Sequence, residues 1–155
     1  MRFSLKYKRL GAFIIDLSIV QMFAQIVSDI FLGSFSYLGK ELGLKLSVND
    51  AMALPVILTF YISILLIFIG IYVGYHWVCF RYVGNSLSRY FLGLRVVTSD
   101  GNLPTKRTYL KREFEKAVLT IATIGAYPLY SAAQYFAHSK APWHDSRNGT
   151  KVVGL

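Results

Sequence analysis

The chain has 155 residues, 54% of them hydrophobic and only 16% charged, with 17 lysines and arginines against 8 acids for a formal net charge of +9. That length suits a single domain, residues 1–155, and a soluble one would carry about a quarter of its residues charged, so an ordinary water-soluble fold is excluded. One cysteine, Cys79, excludes an internal disulfide framework.

A basic start (Arg2, Lys6, Lys8, Arg9) leads into "LGAFIIDLSIVQMFAQIVSDIFL", about residues 10–32. At 1.5 Å per residue this stretch can cross a hydrocarbon core of ~30 Å. It is too long for a signal-peptide core, contains Asp16 and lacks a small-x-small cleavage site. Arg9 and Asp16 differ by roughly 700° of helical rotation and so share one face two turns apart. An unpaired carboxylate at that depth costs about 2.5–3.5 kcal/mol on insertion scales. The expectation is an Arg9–Asp16 pair, either titrating during transport or purely structural. Ser18, Gln21, Gln25 and Ser28 form a second polar stripe pointing elsewhere, which calls for a second packing partner.

The next apolar stretch, "MALPVILTFYISILLIFIGIYVGYHWVCF" (about 52–80), is almost uninterrupted and ends in the aromatics expected at headgroup depth. Gly70 and Gly74 form a small-x-x-x-small face that lets another helix come close, or else are chance glycines facing lipid. The intervening loop, 33–50, is neutral, with Lys40 and Lys45 against Glu41 and Asp50.

Beyond the second span, "LGLRVVTSDGNLPTKRTYLKREFEK" reads as a strand over 92–98, a turn and a helix from Thr105. That helix carries Lys106, Arg107, Lys111, Arg112 and Lys116, interleaved with Glu113 and Glu115. The cluster is either a solvated face or a binder of anionic lipid headgroups. Nucleic acid is not an expected partner, because no recognition fold accompanies the charge.

The third apolar stretch, "AVLTIATIGAYPLYSAAQYFA" (117–137), is interrupted by Gly125 and Pro128. It reads as a re-entrant or interfacial hairpin, or as a third span. Residues 81–116 hold eight basic residues and three acids, which places them, with the basic N-terminus, in the cytoplasm, and 33–50 outside. The tail "APWHDSRNGTKVVGL" is basic too and prefers the same side. A pairing of Lys151-Val152-Val153 with Arg95-Val96-Val97 would hold it there, and only the hairpin permits that. His144-Asp145 is no convincing catalytic dyad, since neighbours on an extended chain diverge. Asp145 is better placed to cap a turn or to answer a cation of the middle segment. No nucleophile constellation and no metal spacing is evident, so neither an enzyme nor a cofactor is expected.

Arg9, Asp16 and the Asp145 of "WHDSRNGTKVV", with "GNSLSRYFLGLRVVTSDGN" between them and Arg112 in the following helix, resemble the RDD family of small membrane proteins. The resemblance covers about residues 7–153. Ser88 stands where the family has a second glycine, and Arg89 where it has lysine. Membership implies two clear spans and a suggested role in transport, with some relatives linked to sodium–proton exchange and no established enzyme class. The resulting expectation is an all-α, multi-pass protein of a bacterial cytoplasmic (inner) membrane, N-terminus inside, with a small cytoplasmic β element. It would be a homo-oligomeric transporter of a small ion or solute. The alternative is an accessory or assembly subunit that docks another membrane protein.

Overall fold

The structure is a computed structural model that describes residues 4–41, 53–138 and 141–155. Arg2, Lys140, Met52 and the connection 42–52, with Lys45 and Asp50, lie outside the described residues.

Helix α1 (Leu5–Glu41) runs for 37 residues, about 55 Å at 1.5 Å per residue. It begins before the apolar stretch and continues beyond it, so residues 33–41, expected in a loop, are helical. Helix α2 (Ala53–Val83) has 31 residues. Among the described residues these two helices are long and apolar enough to cross a membrane. They are antiparallel: Asp16 of α1 meets Tyr75 of α2 near one end, and Phe31 and Phe35 meet Phe60 edge-on toward the other.

The inward face of α1 repeats every fourth residue, burying Ala12, Asp16, Val20 and Ala24, the spacing of neighbours on one helix face. Val20 of this face packs against Tyr72 of α2, and Ala12 against Leu94, Val96 and Tyr109. The remaining circumference exposes Ile14, Ile15, Met22, Phe23, Ile26 and Ile30. Such a surface is stable where lipid, not water, is the solvent. Ser18, Gln21 and Gln25 are exposed as well, so the second polar stripe of α1 finds no partner within the described residues. Gly70 and Gly74 also stay open, since a Cβ at either would meet nothing within 4 Å; among the described residues no helix packs against these two positions.

After α2 come a short helix, α3 (Leu87–Phe91), and strand β1 (Leu94–Thr98). Gly93 takes φ +64 between them, a left-handed value that a side chain would strain. Helix α4 (Lys106–Ala122) follows Pro104 and is capped by Thr105, whose Oγ1 accepts from the Thr108 N–H at 3.2 Å. The third apolar stretch is broken as expected, by a turn in which Ile124 and Gly125 have φ +50 and +81. Pro128 is not the breaker: it is the third residue of α5 (Ala126–His138), where a missing N–H has no helical acceptor to lose. With 13 residues, α5 spans about 20 Å, too short to cross alone.

Helix α6 (Trp143–Arg147) and strand β2 (Thr150–Gly154) complete the fold. The strands pair antiparallel, with Arg95 opposite Val153, Val96 opposite Val152 and Val97 opposite Lys151. The expected tail pairing is therefore formed. Strands bonded to each other share one side of any membrane, so the chain between them makes no net crossing and the third-span alternative falls. The result is a mostly all-α fold with two long apolar helices and a two-stranded sheet. Ala12, Leu94, Val96, Tyr109 and Val152 form its apolar core at the sheet, and Val20, Tyr72 and Ala117 a second where α1, α2 and α4 meet.

Candidate functional site

The centre of the molecule is ionic. Along α4, Tyr109, Arg112, Glu113, Lys116 and Ala117 are buried, the i, i+3, i+4, i+7, i+8 pattern of a core-facing stripe. Three of those five are charged. The reading of this helix as a uniformly solvated or lipid-facing basic surface is corrected: Lys106, Arg107 and Lys111 are exposed, whereas Arg112 and Lys116 point inward.

Glu113 is fully enclosed. Its Oε1 accepts from Arg89 Nη1 at 2.8 Å and from Arg112 Nη1, and its Oε2 accepts from Tyr72 Oη at 3.0 Å. Lys116 Nζ lies 3.9 Å from Oε2 and His76 Nε2 3.6 Å from it. Burial alone would favour the neutral acid, but Arg89, followed by His76, Arg112 and Lys116, holds the carboxyl well below its usual range. Glu113 is an anion serving several cations at once.

Asp145 is the second anion. Its Oδ1 accepts from Arg112 Nε at 2.6 Å and its Oδ2 from Arg9 Nη2 at 3.0 Å. Burial opposes its charge, and Arg112 chiefly overrides that, leaving the carboxyl below its ordinary value. Arg112 thus bridges both carboxylates, and Asp145 ties the first helix to the fourth. Arg9 also covers the ring of Tyr135, 4.1 Å from its centroid.

His144 and Asp145 do not diverge as on an extended chain, because residues 143–147 are helical; both are buried. Tyr127 Oη lies 2.6 Å from His144 Nδ1 and accepts the His144 backbone N–H at 3.2 Å. Burial, with Arg112 nearby, pushes the imidazole down to about 3, so the ring is neutral at pH 7. A hydroxyl already accepting the backbone N–H donates to Nδ1, which leaves the ring proton on Nε2, 3.5 Å from Asp145 Oδ1.

Asp16 stands apart. It is buried in α1, its Oδ1 accepts from Tyr75 Oη at 2.6 Å, and its Oδ2 has no hydrogen-bond partner. Among the described residues Arg9 pairs with Asp145 and not with Asp16. The shared face was read correctly, but α6 brings a carboxylate closer to Arg9 than two helical turns do. Arg9, Arg112 and Asp145 are therefore brought together, with Asp16 one layer deeper. Ser18, Gln21, Gln25, Ser28, Gly70 and Gly74 take no part.

Sequence reasoning missed Glu113, Arg89, Lys116, Tyr72, Tyr75 and Tyr109. The stripe spacing of α4 was the available signal for the first of these. Arg89, which replaces the lysine seen in the resembling pattern, sits at the heart of the cluster, buried with Ser88. Among the described residues no group of His, Cys, Asp and Glu side chains is arranged to hold a metal ion.

No curated protein and no solved structure gives a match. Residues 6–147, which hold Arg9, Asp16, Asp145 and the whole ionic cluster, match the sequence model of the RDD family. The chain is a member of the RDD family, a membrane-like protein built on two apolar helices.

Proposed function

We propose that the protein is a multi-pass protein of the bacterial cytoplasmic membrane, N-terminus inside, that exchanges or transports a small ion or solute as an oligomer. Asp16 is the group that engages the transported species, and no enzymatic step is involved. The observation that carries this reading is the carboxylate of Asp16, buried within a long apolar helix with one oxygen on Tyr75 and the other without a partner. An ionisable group held in a span is costly, and sites of ion or proton passage are where such a cost is repaid. Arg9 belongs to the cytoplasmic end of the same path, locked by Asp145.

Two crossing helices cannot enclose a pathway, so the reading requires more than one chain. The exposed stripe of Ser18, Gln21 and Gln25 and the open Gly70–Gly74 face are where a neighbour would fit. The same stripe supports the second reading, an accessory subunit docked on another membrane protein. Cross-linking through Gln21→Cys separates them: a self-linked species favours transport, and a stoichiometric foreign partner favours the accessory role.

The direct test is proton movement in proteoliposomes on addition of Na⁺, K⁺ or Li⁺, comparing native protein with a folded Asp16→Asn variant. Exchange present in the first and lost in the second is the expected result. Absence of exchange from correctly oriented native protein overturns cation exchange.

A further inference from the structure

A cavity of about 90 Å³ opens between α1, α4, α5 and α6, well above the ~10–15 Å³ that one ordered water requires on the same measure. Its wall is strongly one-signed. Lys6, Arg9, Arg89, Arg112 and Lys116 all border it, and no described residue bordering it is an acid. Glu113 and Asp145 sit behind these cations, holding them from the far side.

The charges do not balance. Arg9, Arg89, Arg112 and Lys116 converge on two carboxylates, Glu113 and Asp145, while the side chain of Asp16 is turned to Tyr75. Buried charge without a counterion is expensive, so the cluster is complete only with a further anion. Lys116 has the weakest hold on an anion: its nearest carboxylate oxygen is 3.9 Å away, too far for a hydrogen bond, and its other contact is the face of the Phe13 ring, 4.1 Å from the centroid. Its ammonium is brought down to about 8 by burial, with Glu113 opposing and Arg89 and Arg112 adding to the fall. A bound anion would reverse that loss.

The rest of the lining has a different character. Leu10, Phe13, Pro128, Ala132 and Phe136 are apolar, while Tyr127, Ser131 and Tyr135 supply hydroxyls. Cations from three helices share the wall with apolar side chains, Lys116 lying 4.1 Å from the Phe13 ring centroid and Lys6 beside Phe136, so a charged head joined to a greasy body meets both kinds of surface. Arginine forks and a lysine arranged in three dimensions match a tetrahedral oxyanion.

We infer that this cavity binds a phosphate group, presented either by an anionic lipid headgroup or as the free ion. The site stands independently of ion exchange at Asp16 and has its own readout.

The full-length protein in phosphatidylcholine nanodiscs is titrated with inorganic phosphate, and in parallel reconstituted with phosphatidic acid in the same discs. The unfolding temperature reports binding to the folded state. At least one probe raises it, and which one does so identifies the source of the phosphate. Ala132→Phe fills the cavity while keeping every cation, and abolishes the shift. Lys116→Gln weakens the apparent affinity about tenfold, the scale of one charge-assisted contact. The pair Lys106→Gln and Lys111→Gln, on the exposed face of α4, leaves it intact. No shift with either probe overturns the proposal. So does a shift that survives Ala132→Phe, or one lost in the surface pair, which would place the anion outside the cavity.

Discussion

Arg9 and Asp145 are 136 positions apart in the chain and 3.0 Å apart in the fold. Their bond joins the start of the first apolar helix to a five-residue helix that is the last in sequence among the described residues. Asp145 also holds Arg112, so the two bonds are unequal in what their loss does. Asp145→Asn strips two arginines of a common anion and should cost about 3–5 kcal/mol, the penalty for breaking a buried pair. Arg9→Gln leaves Asp145 on Arg112 and should cost less, roughly 1.5–3 kcal/mol. Denaturant unfolding in mild detergent ranks the two; equal losses would mean that Arg112 does not depend on Asp145.

Acidification should loosen the tail before it touches the carboxylates. His144 is neutral when folded, near 3 against an ordinary 6.5, so below pH 6.5 the unfolded chain takes up a proton that the folded one refuses. Its contribution to stability is complete above that pH and is lost as pH falls toward 3, by up to ~1.4 kcal/mol per pH unit. Glu113 and Asp145, both depressed, add their loss only below about pH 4. Melting temperatures between pH 7.5 and 5 should therefore decline, and His144→Gln should make the decline shallower.

How far the sequence prefigured this site depends on distance along the chain. The two spans, the break at Gly125 and the strand pairing were legible because each rests on a local pattern, apolar length, a left-handed turn residue or a β-branched run. Asp145 answering a cation of the middle segment was legible as well. The Arg9–Asp16 pairing went wrong because helical geometry offers only the nearest candidate and says nothing of a carboxylate folded back from far downstream. Glu113 was hidden by its neighbours: two acids, Glu113 and Glu115, interleaved with Lys111, Arg112 and Lys116 look like a salt-bridged surface, and the packing of α4 against α2 is what turns Glu113 inward.

Tyr75 and Asp16 should behave as one unit. Tyr75→Phe removes the hydroxyl that Asp16 accepts at 2.6 Å and should destabilise by about 1–3 kcal/mol. In the Asp16→Asn background the same change should cost distinctly less, with a coupling of about 1 kcal/mol or more in a double-mutant cycle. Additive effects would mean that the hydrogen bond contributes nothing.

The sheet makes a covalent test available. In a Cys79→Ser background, Arg95→Cys and Val153→Cys face each other across the antiparallel pair, within the ~4.5–5.5 Å Cα separation that a disulfide tolerates. The doubly substituted chain should cross-link in native membranes under mild oxidant. Failure to form while both thiols remain reactive would separate the tail from the middle segment and reopen a third crossing.

The pairing of β1 with β2 also fixes an order of events during synthesis. Arg9, Arg89 and Arg112 leave the ribosome before Asp145, and β1 before its only described partner strand. At about 5–20 residues per second, the long apolar helices are made seconds before Asp145, the carboxylate that links Arg9 to Arg112. In that interval the nascent chain carries an unpaired β1 edge, and Arg9 and Arg112 lack the carboxylate they will share. Closure by α6 and β2 answers both at once, so the last elements made complete the sheet and the Arg9–Asp145–Arg112 link together.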